Sequence, residues 1–135
     1  LTSAITVSPL LSTTAPPKEE SSGPEAQLLL AYHGNKIILD KQRTSVVLGR
    51  SNRCDITVNE KLASRQHVQI ALRRDKFFIK DHSTNGTYVH IQNNNESFLK
   101  LEEMPLIGNG KISLGRAFKE KPKEIITFNL KQTHR

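Results

Sequence analysis

From Gln27 onward no stretch of this chain keeps a helical period. Short apolar alternations recur instead, separated every several residues by Gly, Asn, Asp or Ser. Runs such as Ile56-Thr57-Val58 and Val68-Gln69-Ile70-Ala71-Leu72 put every second side chain on one face, the pattern of a strand with one buried side. Eleven strands are predicted: Gln27–Tyr32, Lys36–Lys41, Ser45–Leu48, Asp55–Val58, His67–Arg73, Lys76–Lys80, Thr87–Ile91, Ser97–Leu101, Met104–Ile107, Lys111–Leu114 and Glu124–Lys131. His33-Gly34-Asn35 reads as a tight hairpin, Arg74-Asp75 joins two further strands, and Gln92–Glu96 reads as a polar loop. Regular short strands between turn residues predict an all-β sandwich of mostly antiparallel strands.

Composition limits what such a sandwich can be. With no Trp, two Tyr and five Phe, the core has to be aliphatic. A single Cys excludes an internal disulfide and any multi-cysteine zinc or iron–sulfur site, and it fits a reducing, cytoplasmic compartment. No metal or cofactor is expected. No apolar run approaches the roughly 18 residues of a membrane span, and the N-terminus carries no signal-peptide pattern. The absence of an initiator Met points to a fragment of a longer protein, whose output domain is expected on the N-terminal side.

Residues 1–25 are rich in Ser, Thr and Pro, with too few apolar groups to offset the entropy of ordering, and are expected to form a flexible linker. The domain proper is expected over residues 26–135. Thr2, Thr6, Thr13 and Thr14 in the linker are candidate phosphorylation sites that the domain itself could bind. The formal net charge is +7; within residues 1–25, Lys18 stands against Glu19, Glu20 and Glu25, so the rest holds 20 − 1 = 19 basic and 13 − 3 = 10 acidic residues, a balance of +9. A basic domain prefers an anionic partner.

Three polar clusters lie between the strands: Gly49-Arg50, Ser64-Arg65-Gln66-His67 and Ser83-Thr84-Asn85-Gly86-Thr87. Alternation on either side places them on loops, where binding residues concentrate. A guanidinium such as Arg50 offers a planar fork of donors suited to phosphate oxygens, although alone it also reads as a solvated charge. Ser64 can give one hydroxyl bond to an oxyanion, and Arg65 adds charge beside it. His67 reads as a structural histidine whose ring bonds loop backbone. Asn85-Gly86 supplies a turn with a φ > 0 position, and the Asn85 amide can grip a peptide backbone. Asp81-His82-Ser83 holds the residue types of a catalytic triad, but adjacent residues cannot align nucleophile, base and orienter. Asn85-Gly86-Thr87 and Asn95-Glu96-Ser97 match the glycosylation sequon by chance, since no secretory signal precedes them. Cys54 reads as a small loop residue.

In order and spacing, Gly49-Arg50, Asp55-Ile56, Ser64-Arg65-x-His67 and Asp81-x-Ser83-Thr84-Asn85-Gly86-Thr87-Tyr88-Val89 resemble the forkhead-associated (FHA) domain, over roughly Glu25 to Gln132. The resemblance implies an eleven-stranded sandwich that binds phosphothreonine peptides through loops at one end, and a signalling module without enzymatic activity. It implies that Arg50 and Ser64 bond the phosphate, that Arg65 and Thr84 touch it, and that Asn85 holds the backbone of the next peptide residue. Gly49, His67, Asp81 and Gly86 match loop-shaping positions. A niche for the threonine methyl disfavours phosphoserine, and His82 and Ser83 lie in the loop that reads the residue three places on. Two positions depart from the pattern. His90 stands where the family usually has Asn, and the turn at Asn109-Gly110 lacks the usual carboxylate.

The partner is therefore expected to be a threonine-phosphorylated protein, or a phosphorylated segment of the same polypeptide. Phosphate-independent docking is the alternative. Nucleic acid is not expected as a partner, because no basic helix and no aromatic stacking platform accompany the charge.

Overall fold

The computed structural model of the chain describes residues 25–93 and 95–133. The stretch expected to be a linker, with Thr2, Thr6, Thr13 and Thr14, lies outside the described residues apart from its last residue. Eleven strands follow one another: β1 (Glu25–Tyr32), β2 (Asn35–Leu39), β3 (Ser45–Gly49), β4 (Ile56–Thr57), β5 (Val68–Arg73), β6 (Lys76–Asp81), β7 (Thr87–Ile91), β8 (Asn95–Leu99), β9 (Glu103–Leu106), β10 (Asn109–Leu114) and β11 (Ile125–Thr133). A short 3-10 turn, Phe118–Glu120, precedes β11. No helix among the described residues is long and apolar enough to cross a membrane.

The strands form two sheets, one in the order β9-β6-β5-β3-β4 and one in the order β2-β1-β11-β10-β7-β8. Alternation decides which side chains meet between them. Val46 and Leu48, Val68 and Ile70, and Phe77 and Ile79 are buried from the first sheet; Leu28, Leu30, Ile112, Ile126 and Phe128 are buried from the second. Each such side chain contributes roughly 1.5–3 kcal/mol by leaving water. Pairing is antiparallel except between β3 and β4, where Leu48 lies opposite Ile56 and Gly49 opposite Thr57. Asp55 closes that short crossover by accepting from the Val47 amide at 2.7 Å.

The hairpin at His33-Gly34 has both central residues at positive φ (48° and 85°), the geometry that matches strand twist in a two-residue turn. Strand ends differ from expectation in two places. Asn93 takes a φ of 78°, so β8 restarts at Asn95, inside the expected polar loop, and Glu96 pairs with His90. The same strand stops at Leu99 rather than Leu101, because Leu101 turns to a φ of 58° and gives its amide to Asp81. Before β10, the bend falls at Gly108 (φ 65°), while Asn109 and Gly110 are paired strand residues.

Strands β3, β6 and β10 end, and β5, β7 and β11 begin, at one pole of the sandwich. The connections 50–55, 58–67 and 82–86 gather there. At the opposite pole, Glu25 of β1 pairs with Thr133 of β11.

Candidate functional site

The first two loops are zipped together by backbone. Arg50 N donates to Ser64 O (2.9 Å), Ser51 N to Arg65 O (3.1 Å) and His67 N to Leu48 O (2.8 Å). So close an approach requires glycine at position 49, since a Cβ there would sit 2.2 Å from Arg65 O. The Cys54 thiol donates to that same carbonyl at 3.0 Å, which makes it a packing group, and burial pushes its pKa up, away from reactivity.

His67 ties these loops to the third. Ser64 N donates to its Nδ1 at 2.9 Å, so Nδ1 carries no proton and Nε2–H donates to Gly86 O at 2.7 Å. The ring is fully buried, and burial holds its pKa below the ordinary 6.5 against the pull of Gly86 O and of Asp81, whose Oδ1 lies 3.7 Å away. Gly86 O also accepts from Gly115 N (2.9 Å), and Gly86 itself has a φ of 86°.

Asp81 organises the turn from beneath. Its Oδ1 accepts from the hydroxyls of Ser83 (2.7 Å) and Thr87 (2.6 Å), and its Oδ2 from the amides of Ser83 (3.1 Å) and Leu101 (2.8 Å). Burial would raise its pKa, but these four donors hold it below the ordinary 3.8. The Ser83 hydroxyl in turn accepts from Gly86 N at 2.7 Å. Ser83 was expected to read the bound peptide beside His82. It is instead 5% exposed with its hydroxyl bonded on both sides, so it braces the turn, and only His82 of the pair is exposed.

The remaining candidates converge on one short segment, Leu62-Ala63-Ser64. Arg50 is exposed and donates from Nε to Ala63 O (2.9 Å), with no carboxylate paired to it among the described residues. Ser64 Oγ accepts from Thr84 N at 3.1 Å, which leaves its own proton to give away. Asn85 donates from Nδ2 to Leu62 O (2.9 Å), which leaves Oδ1 as an acceptor for an incoming N–H. Arg65 and Thr84 are exposed beside them.

The loop acids are all satisfied from within. Asp55 bonds the Val47 amide and Arg43, Asp81 is buried among its four donors, and Glu60 takes a two-point contact from Arg116 (Nε to Oε1 and Nη2 to Oε2, both 3.0 Å). That guanidinium holds the Glu60 carboxyl below its ordinary value of 4.5 although burial pushes it up. Arg50, Arg65, the Ser64 and Thr84 hydroxyls and the Asn85 amide are left without an acid partner among the described residues, a set suited to an oxyanion on a peptide. It is not suited to catalysis. His67 contacts the Ser64 amide rather than its hydroxyl, and the Ser83 hydroxyl is spent on Asp81. No group of His, Cys, Asp and Glu among the described residues could hold a metal ion.

Sequence reasoning missed Glu60 and Arg116, which clamp the segment carrying Ser64 to the chain beyond β10. No local signal marks them, since Asn59-Glu60-Lys61 looks like any polar loop and the partner lies far along the chain. Thr87 was quoted only within its motif, and its hydroxyl proves to be a ligand of the buried carboxylate.

Known proteins give an independent view of this arrangement. The family model described as "FHA domain" matches residues 46–115. Among solved structures, FHA-1 of Rv1747 from Mycobacterium tuberculosis aligns with a TM-score of 0.59 at 21% identity, over 78% of this chain and 97% of that one. Mycobacterium tuberculosis EmbR, in complex with a low-affinity phosphopeptide, aligns at 0.58 and 21% identity over 76% of this chain and 24% of its own. The MEK1 FHA domain, in complex with a HOP1 phosphothreonine peptide, aligns at 0.57 and 23% identity over 76% and 94%. At these identities the likeness establishes the fold. No match is found among curated protein sequences.

Proposed function

The chain belongs to the FHA domain family, and from that premise we propose that it is a phosphothreonine-peptide reader that recruits its partner in signal transduction. One observation carries the reading: Arg50, Ser64, Thr84 and Asn85 are all positioned by the single segment Leu62–Ser64, and the loop acids Asp55, Glu60 and Asp81 are engaged with other groups. A phosphothreonine brings about −1.5 to −2 charges and three acceptor oxygens. Arg50 supplies its free guanidinium donors, Ser64 its hydroxyl proton, and Arg65 and Thr84 add charge and a further donor at the rim. Asn85 Oδ1 accepts the backbone N–H of the residue that follows. His82 is the loop residue left to read a side chain further on. The domain binds and does not catalyse, and any enzymatic output belongs to other parts of the polypeptide. A lone thiol and a kinase-dependent ligand fit a cytoplasmic setting.

The poles of the sandwich bear on whether the ligand comes from the same chain. The N-terminal segment joins β1 at the pole opposite the site, and the eight residues of β1 separate the two ends by roughly 26 Å. A phosphothreonine at Thr2, Thr6, Thr13 or Thr14 would have to span that length to reach the site of its own molecule, and a neighbouring molecule is the other way to present it.

Matched phosphothreonine, phosphoserine and unphosphorylated peptide libraries test the function. Retention of phosphothreonine peptides alone is expected. Equal retention of all three would overturn the reading in favour of phosphate-independent docking.

A further inference from the structure

Strand register sets two rows of outward side chains across the second sheet. One runs Lys36, Ala31, Thr127, Lys111, His90 and Glu96; the next runs Ile38, Leu29, Asn129 and Asn109. Ala31 and Thr127 are short and stand between the long side chains of Lys36 and Lys111, so the face dips there. The result is a hollow of about 450 Å³ bordered by Leu29, Ala31, Thr127, Asn129, Lys111 and His90. His90 lies three strand residues from Thr87, roughly 10 Å down the flank from the phosphate-side turn. The hollow and the proposed phosphopeptide site are therefore separate surfaces.

Its floor is apolar. Leu29 and Ala31 are half-buried, and Ile38, 50% exposed, extends the floor to the edge of the sheet. Its border is cationic. Lys36 and Lys111 are exposed and stand in no ion pair among the described residues, and Lys131 shares their face. Glu96, at the far end of the first row, is the one acid in either row. Asn109 adds an independent sign. Its Oδ1 is buried without a hydrogen-bond partner, a state few buried polar atoms keep. An N–H from an occupant would satisfy it once the amide turns toward the hollow. His90 and Asn109 are also where the chain departs from the family pattern, and both line this hollow.

A second copy of the chain does not suit such a face, because it would set lysines against lysines. A nucleic acid would press phosphates on Leu29, Ala31 and Ile38, and neither row holds an arginine or a stacking aromatic. A peptide with acidic and aliphatic side chains matches both features: carboxylates meet the lysines, aliphatic groups cover the floor, and its backbone brings the N–H. We propose that the hollow is a second docking site, which takes an acidic, aliphatic segment of a protein partner and does so without phosphorylation.

The test pans the whole chain against a random library of unphosphorylated peptides, then maps by NMR the amides that shift on adding those enriched. Enrichment of Asp and Glu spaced with Leu, Ile or Val is expected, with shifts at Ala31, Thr127, Asn129 and Lys111 and none at Arg50, Ser64 or Asn85. Lys111→Glu replaces an attraction by a repulsion and should weaken that binding about tenfold. Thr127→Phe fills the hollow and should weaken it as well. Both should leave the urea midpoint and phosphothreonine-peptide binding unchanged. No acidic enrichment, shifts confined to the loops, or an affinity that survives both substitutions overturns the proposal while leaving the reader function standing. Self-association through this face, abolished by Thr127→Phe, would overturn it in favour of a second copy.

Discussion

His67 joins the segment bearing Ser64 to the turn bearing Asn85, and replacing it with Phe isolates that link. An aromatic ring is kept while both nitrogens are lost, and the larger six-membered ring adds some packing strain of its own in this fully buried site. Ser64 N, now without Nδ1, becomes a poorly satisfied donor at a cost of about 1–3 kcal/mol. Gly86 O loses one bond, worth about 1 kcal/mol, but keeps Gly115 N and is not orphaned. The sum is about 2–4 kcal/mol, a large share of the 5–15 typical of a domain. It corresponds to a fall in Tm of roughly 10–20 °C. Urea denaturation at pH 7 reads the difference directly. The same variant tests the pH dependence. Because burial lowers the folded pKa of His67, the unfolded chain binds the extra proton below 6.5, so stability is complete above that pH and erodes as pH falls through it. The shifts at Glu60, Glu124 and Asp81 lie on groups whose contributions are lost only below about 4.5. Between pH 6.5 and 5 the slope is therefore expected from His67 and should diminish in His67→Phe. A variant within 0.5 kcal/mol of wild type, with an unchanged slope, would refute the reasoning.

Gly49→Ala should cost about 1–3 kcal/mol, because the new methyl meets Arg65 backbone rather than a side chain that can move; denaturation and peptide binding should both weaken, since the two phosphate-side loops must part. Arg116→Met leaves Glu60 buried and unpaired. Stability should drop at pH 7, and the gap to wild type should close as pH falls below 4.5, where the Glu60 carboxylate no longer needs its partner, a trend that thermal melts across pH will show.

Much of this architecture was legible because alternation and turn chemistry are local. Val68-Gln69-Ile70-Ala71-Leu72 and Thr87–Ile91 announce strands without reference to anything distant, and His33-Gly34 announces its own turn. The loop clusters were legible because their residue types and spacing resist chance together. What escaped notice depends on contacts between remote residues. Leu101 looks like the last inward residue of a strand, since Leu99 and Leu101 continue its alternation; only the amide bond to Asp81 removes it. Ser83 looks like a loop hydroxyl free to meet a ligand until the carboxylate beneath it and the Gly86 amide above it are placed. Glu60 gains its meaning from Arg116, 56 positions along the chain.

The central claim is that Arg50 anchors a phosphate. Titration calorimetry of wild type and Arg50→Ala with one selected phosphothreonine peptide tests it most directly. Two charge-assisted bonds at roughly 1.5–3 kcal/mol each predict a loss of about a hundredfold or more in affinity, with Tm little changed because the side chain is exposed and holds only Ala63 O. Affinity within twofold of wild type would contradict the account.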